Sequence, residues 1–313
     1  MSSRLDSDAI YALRRLRRHL TWWRVLTVIG FTLAILANLN ARDLKFDGDH
    51  VARVEITGII VDDPDFIWML DEIADDPHVK ALLLDIDSPG GTFTGSESVF
   101  DALRRVAEVK PVVAVMGGMA TSGAYMSAVA ADRIYAGRGT ITGSIGVIME
   151  TADVTDLMEK IGVTPEIIKS GDLKATPNPS EKLSDAARAQ LQGVIDELHL
   201  AFMEKVAERR NLSLDEVRAR TGDGRIMTGP TAMQAGLLDE IGNADAARAW
   251  LAAEKGIDAN LPQEEWYLEE DYDWLRAGAS TVSRAIFGKS LLPESLRLDG
   301  ILALWHPSIS GGR

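Results

Sequence analysis

The stretch 79–116, "VKALLLDIDSPGGTFTGSESVFDALRRVAEVKPVVAVM", decides the fold class. Residues 79–87 form a continuous apolar run, as a parallel strand covered on both faces requires. The chain then turns through Ser88, Pro89, Gly90 and Gly91. Residues 95–109 read as a helix, and 111–116 as a second buried strand. Strand, helix and parallel strand make one right-handed crossover unit. The alternation continues outward on both sides. Residues 51–60 have strand composition, and 63–76 carry Phe66, Ile67, Leu70 and Ile73 at helical spacing. Residues 123–132 read as a short helix of small residues, 155–162 as another helix, and 133–137, 144–150 and 164–170 as strands. Such alternation predicts an α/β domain. After residue 183 the pattern turns helical. Ser184 can cap a helix to about Arg209 whose stripe is Leu191, Val194, Ile195, Leu198, Phe202 and Val206. A further helix opens at Ser213, Gly236 is placed to end another, and 243–255 form one more.

The chain has 313 residues, about twice the ~150 of one ordinary domain. Hydrophobic residues make up 46% and charged residues 26%, which excludes a largely disordered chain and a polytopic membrane protein. With no cysteine there is no disulfide, cysteine-ligated zinc, iron–sulfur cluster or thiol nucleophile. The net charge of −14 is unevenly spread: residues 1–24 carry six arginines against Asp6 and Asp8, and everything beyond is strongly acidic. Such a body repels phosphate backbones, so no nucleic-acid partner is expected.

Residues 25–39, "VLTVIGFTLAILANL", contain no charge. Extended back to Leu20 they reach the ~20 residues that span a bilayer, with Trp22 and Trp23 at the interface and Arg24 snorkelling toward headgroups. The arginine cluster before them keeps residues 1–24 in the cytoplasm. A cleaved signal and a buried core helix are the competing readings. Leu39 and Ala41 do not make the small-x-small cleavage pattern. The expected organisation is a basic segment 1–24, a transmembrane signal-anchor 25–40, a linker 41–50, a body 51–257 and a C-terminal extension 258–313. The extension contains amphipathic stretches and is expected to be helical, packing on the body or on a partner.

Ligands bind at the carboxyl edges of α/β sheets. Two glycine pairs fall there. Gly90 and Gly91 follow the first buried strand, and such a turn can present free N–H groups to an oxyanion. Gly117 and Gly118 follow the second, and a helix then opens near Ser122 and Gly123, where the dipole favours negative charge. Ser122 is a candidate nucleophile or a plain helix cap. A serine nucleophile needs a base. The histidines (His19, His50, His78, His199 and His306) include none in a turn after a strand end, so a Ser-His-Asp triad has little support. A buried lysine can serve instead, because desolvation brings its pKa down toward neutrality at a cost of about 4 kcal/mol. Lys174 follows Ser170 and Gly171, with Lys169 as its rival, and both also read as ordinary solvated lysines. Met116, Met119 and Met126 could line an apolar pocket or simply pack in the core.

Taken together, "DSPGG" (87–91), "GGMATSGAYMSA" (117–128), "TGSIGV" (142–147), "SGDLK" (170–174) and "GLLDEIG" (236–242) resemble the S49 family of serine peptidases, signal peptide peptidase A type, in its short single-domain form. The likeness covers roughly residues 50–255. It implies a ClpP/crotonase-like fold of repeated ββα units and a Ser–Lys dyad. Ser122 would be the nucleophile, Lys174 the general base and Ser144 the residue that orients the lysine. Backbone N–H groups of Gly90, Gly91 and Gly123 would bind the oxyanion. No cofactor or metal is implied. The substrates implied are remnant signal peptides and small or unfolded polypeptides, cleaved by a homo-oligomeric ring in which a neighbour can complete the dyad. With the anchor, this places the protein in a bacterial inner membrane, N-terminus inside and body on the periplasmic side. A crotonase-type acyl-CoA enzyme and an inactive scaffold use the same fold and are the alternatives. Asp172, two residues before Lys174, would keep the lysine protonated if it bound it, and is therefore expected to face solvent or another cation.

Overall fold

The computed structural model describes residues 22–26, 29–30, 48–268 and 302–304. The chain divides into two units, Met1–Gly48 and Asp49–Arg313. In the first, residues 22–26 and 29–30 are helical and exposed. Most of the proposed span 25–40 lies outside the described residues, and among the described residues no helix is long and apolar enough to cross a membrane.

The second unit is built on a mixed sheet. Its middle is β1 (His50–Ile60), β2 (Val79–Thr92) and β3 (Val112–Thr121), all parallel, in the order β3-β2-β1. Helix α1 (Pro64–Asp75) crosses from β1 to β2, and α2 (Phe93–Val109) from β2 to β3. Asp63 caps α1, accepting from the N–H groups of Asp65 and Phe66, and Thr92 caps α2 through Gly95 N–H. After β3 come α3 (Gly123–Val129), β4 (Arg133–Ala136) and β5 (Ile141–Gly143), both strands parallel to β3.

Beyond the arm 148–184 lie α4 (Thr155–Lys160, within the arm), α5 (Asp185–Arg210), α6 (Leu214–Thr221), β6 (Ile226–Thr228), α7 (Gly229–Gln234), β7 (Glu240–Ile241) and α8 (Ala244–Lys255). β6 is antiparallel to β5, and β7 parallel to β4. β8 (Gln263–Trp266) extends the sheet beyond β1, and β9 (Leu302–Leu304) pairs antiparallel with the end of β2. The described parts of the extension expected to be helical are therefore strand at these two places.

The apolar run of β2 is buried on both faces, as expected. Leu82, Leu84 and Ile86 join α1, α2, α3 and α5 in the larger core, while Ala81 and Leu83 pack under Ala247 and Leu251 of α8. Each fully buried Leu or Ile contributes about 1.5–3 kcal/mol. Phe202, Met203 and Val206 sink the C-terminal half of α5 into this core, whereas Leu191, Val194, Ile195 and Leu198 are only half-buried.

Two expected strands are not there. Residues 144–150 and 164–170 form no strand. Ile145 and Val147 are apolar because they are buried, but Ile167 and Ile168 are exposed, so apolarity at 164–170 does not report sheet membership. A third difference is that β2 and β3 run on through their glycine pairs to Thr92 and Thr121.

Candidate active site

The strands can continue because side chains take over where the ladder fails. Along β1 and β2, Thr57 pairs with Asp87 but Ile59 with Gly90, so β2 carries one extra residue there. Along β2 and β3, Ile86 pairs with Met116 and Ser88 with Ala120, so β3 carries two extra. Asp87 serves the second bulge: its Oδ1 accepts Met119 N–H at 3.0 Å, and Gly117 passes so close that a Cβ would lie 3.3 Å from the carboxylate. Ser88 serves the first: its Oγ donates to Gly58 O at 2.6 Å and accepts Gly90 N–H at 3.1 Å. Thr121 Oγ1 donates to Pro89 O at 3.1 Å, and Thr142 Oγ1 to Ala120 O at 2.6 Å. Sequence reasoning passed over Asp87 and Ser88 as site-builders. The signal available was a pair of polar residues closing a buried strand.

Past Ser88 and Ala120, β2 and β3 separate. The next residues are 90–92 on one side of the gap and Thr121 and Ser122 on the other. On the gap side, residues 90–92 are paired antiparallel with β9 rather than with β3, Gly91 opposite Ala303. On the other side they lie against β1, where a Cβ on Gly91 would fall 1.7 Å from Ile60 O. Backbone is the obstacle, so no rotamer relieves it. Gly91→Ala is expected to cost about 3 kcal/mol or more, seen as a large fall in the thermal midpoint; an unchanged midpoint would contradict this packing.

Ser122 ends β3 and precedes α3. It is 1% exposed, and among the described residues its Oγ has no hydrogen-bond partner. Its backbone has φ 54° and ψ −122°, and the side chain caps nothing. The plain-cap role is thereby excluded, since a cap sits in the extended region and accepts a helix N–H. A non-glycine residue held at positive φ stores about 1–3 kcal/mol and is found where function demands it. Surrounding bonds hold it: Ser122 N–H donates to Gly143 O at 2.8 Å, and Met126 N–H to Ser122 O at 3.0 Å. Gly123 opens α3, where a first-turn N–H has no acceptor within the helix. The helix is anchored below by Tyr125, whose phenol donates to Leu237 O at 2.8 Å and is pushed up in pKa by burial. Arg210 holds that same segment through Gly236 O and Asp239, which gives "GLLDEIG" a structural role.

The structure brings Ser144 beside Ser122. Thr121 pairs with Gly143, so the two serines follow neighbouring strand ends. Ser144 also has positive φ, 52°, and its N–H donates to Arg225 O at 2.8 Å. Of the proposed oxyanion donors, Gly90 N–H is engaged by Ser88 Oγ.

Lys174 is not brought to Ser122 within one chain. It is exposed, in a turn closed by its N–H to Gly171 O at 3.0 Å, while Ser122 Oγ stays unpartnered. Asp172 is also exposed and makes no ion pair with Lys174. Lys169 is committed elsewhere: its ammonium binds Glu181, and that bond, helped by Asn178, holds Glu181 below the usual carboxylate range. The arm around Lys174 is rich in exposed apolar side chains, among them Leu157, Ile161, Val163 and Leu173, with Ile168 93% exposed. Helix α4 on it buries no residue. Met116 and Met126 are core residues, so the apolar-lining role falls away for both, and only Met119 is half-exposed.

The protein-family model "Peptidase family S49" matches residues 104–258. The chain is 37% identical over 209 residues to "Putative protease slr0021" of Synechocystis sp., covering 66% of this chain and 75% of that one. It is 32% identical over 263 residues to "Putative protease MJ0651" of Methanocaldococcus jannaschii, covering 79% and 84%. It is 29% identical over 260 residues to "Putative signal peptide peptidase SppA" of Enterococcus faecium, covering 75% of each. The chain belongs to peptidase family S49.

Proposed function

We propose that this protein is a membrane-anchored serine endopeptidase that cleaves remnant signal peptides and other small or unfolded polypeptides. The observation that carries this reading is Ser122, buried, at positive φ and with no partner for its Oγ among the described residues, beside the strand segment 90–92 that β9 pairs with. A substrate would add to residues 90–92 as an antiparallel strand, replacing Leu302–Leu304, and its backbone would run past Ser122. Ser122 Oγ attacks the scissile carbonyl while Lys174 Nζ, oriented by Ser144, takes its proton. Gly91 and Gly123 N–H groups receive the oxyanion. The tetrahedral intermediate collapses, the lysine returns the proton to the leaving amine, and water, deprotonated by the same lysine, releases the acyl group from Ser122.

In this reading the body is ClpP/crotonase-like and assembles as a homo-oligomeric ring. A neighbour's arm supplies Lys174. Support comes from the unpartnered Ser122 Oγ, the exposed Lys174 and the exposed apolar side chains that flank it. Residues 25–40 anchor the chain in a bacterial inner membrane with the body on the periplasmic side, a reading supported by the uncharged run behind an arginine cluster.

The test is fluorophosphonate labelling of the detergent-solubilised full chain, followed by peptide mapping, beside an acyl-CoA turnover assay. A label on Ser122 with no acyl-CoA turnover is expected. Acyl-CoA turnover without labelling would replace the peptidase by a crotonase-type enzyme, and neither signal in a verified oligomer would leave a scaffold.

A further inference from the structure

We propose that Ser88 is a positioning residue that builds the peptide-binding edge beside Ser122. The role rests on the peptidase reading and deepens it. The extra residue in β2 falls at 88–89, opposite Gly58 of β1. In a regular parallel ladder the Gly58 carbonyl would receive an N–H from β2, but Pro89 has none to give. The bulge therefore leaves the Gly58 carbonyl, at a residue that is itself exposed, without its ladder donor. The Ser88 hydroxyl supplies the donor at 2.6 Å and, with its lone pairs, takes the N–H of Gly90 at 3.1 Å. One 1%-exposed hydroxyl therefore satisfies both backbone groups that the bulge orphans.

The consequence is directional. Ser88 is the last residue of β2 to pair with β3; beyond it Gly90 and Gly91 pair with β1 on one side, and residues 90–92 pair with β9 in place of β3 on the other. The bulge thus converts an interior strand into an edge at the place where Ser122 emerges from β3. β9 lies against that edge, so it accepts an extended chain. Gly58, with φ 67°, provides the matching bend in β1. Engaging Gly90 N–H also leaves the donors of the edge to its neighbours, beginning with Gly91. Ser88 itself touches no substrate.

Without the hydroxyl, Gly58 O and Gly90 N–H must find each other or water, and the bulge relaxes. The experiment compares wild type, Ser88→Ala and Ser88→Thr as solubilised full-length protein. Two readouts are taken: kcat and KM on an extended apolar peptide, and the rate of Ser122 labelling by a small fluorophosphonate, which needs no strand edge. Ser88→Ala is expected to raise KM for the peptide about tenfold or more while labelling changes less than about threefold. Ser88→Thr, which keeps the hydroxyl, is expected to stay within about threefold of wild type on both.

Labelled Ser88→Ala with an unchanged KM overturns the role. So does Ser88→Thr as impaired as Ser88→Ala, or an equal loss of labelling and cleavage in both. If Ser88→Ala does not fold, Ser88→Cys takes its place. Its thiol is a weak donor and acceptor, and a KM between those of Ser88→Thr and an edge-less enzyme is expected; a wild-type KM overturns the role. Wild-type protein that takes no phosphonate overturns the peptidase reading itself, which separates the two failures.

Discussion

Ser122→Ala lowers peptide hydrolysis by about 10³-fold or more, and Ser122→Gly does the same while making the protein more stable. The first effect follows from removing the only atom that can form the acyl-enzyme. Losing the nucleophile of a hydrolase leaves only what binding and oxyanion contacts supply. The second follows from the backbone. At φ 54° and ψ −122° Ser122 sits where a Cβ is unwelcome, and neighbouring bonds to Gly143 O and from Met126 N–H keep it there. Glycine relieves strain worth about 1–3 kcal/mol and gives back about 0.5–1 kcal/mol in chain entropy. The net gain is about 1 kcal/mol, or about 2–4 °C in thermal midpoint for a body of this size. Alanine keeps the Cβ and so keeps the strain, which makes Ser122→Ala the control. Paired measurements of turnover and thermal midpoint on the three proteins decide it. An active Ser122→Gly would remove Ser122 from the chemistry. An inactive but destabilised Ser122→Gly would mean that the serine conformation is not strained and that its geometry has another cause.

The sequence makes the fold legible where burial alone sets the pattern. The apolar run of β2, the helical spacing of Phe66, Ile67, Leu70 and Ile73, and the caps at Ser184 and Ser213 all lead to the observed elements. It misleads where apolar residues serve something other than the sheet. Ile167 and Ile168 have the composition of a strand, yet form no strand among the described residues. The glycine pairs mislead in a second way. Read as turns, they end both strands five residues early. The strands persist because Asp87 and Ser88 side chains bond the bulged backbone, and a register shift leaves no mark on composition. The sequence places Ser122 between a strand end and a helix start, as the structure does. Ser88 is not legible, because its meaning depends on Gly58, thirty residues away and across a strand.

Mixing two dead variants restores activity. On the proposed mechanism Ser122→Ala lacks the nucleophile, and Lys174→Ala lacks the base and is expected to lose about 10²–10⁴-fold. Among the described residues Ser122 Oγ has no partner, and Lys174 is exposed on an arm whose helix buries nothing; on the proposed mechanism each site would then take a serine from one copy and a lysine from the next. In a ring built on one head-to-tail interface, every site lies at such a junction. Random assembly of the two variants in equal amounts gives each site an intact serine half the time and an intact lysine half the time. About one quarter of the sites, all of them junctions with Lys174→Ala donating the serine and Ser122→Ala the lysine, are then complete. Co-expressing the variants under different affinity tags and purifying through both isolates the mixed assemblies. Their activity per site is expected to reach about a quarter of wild type, against background for either parent. A dyad closed within one subunit predicts background for the mixture too, and would require the arm to fold back onto its own Ser122 in the working enzyme. The exposed side chains of Ile161, Ile168 and Leu173 supply an independent handle. Replacing them with serine should leave the monomer folded and remove both the assembly and the complementation, because they touch no core.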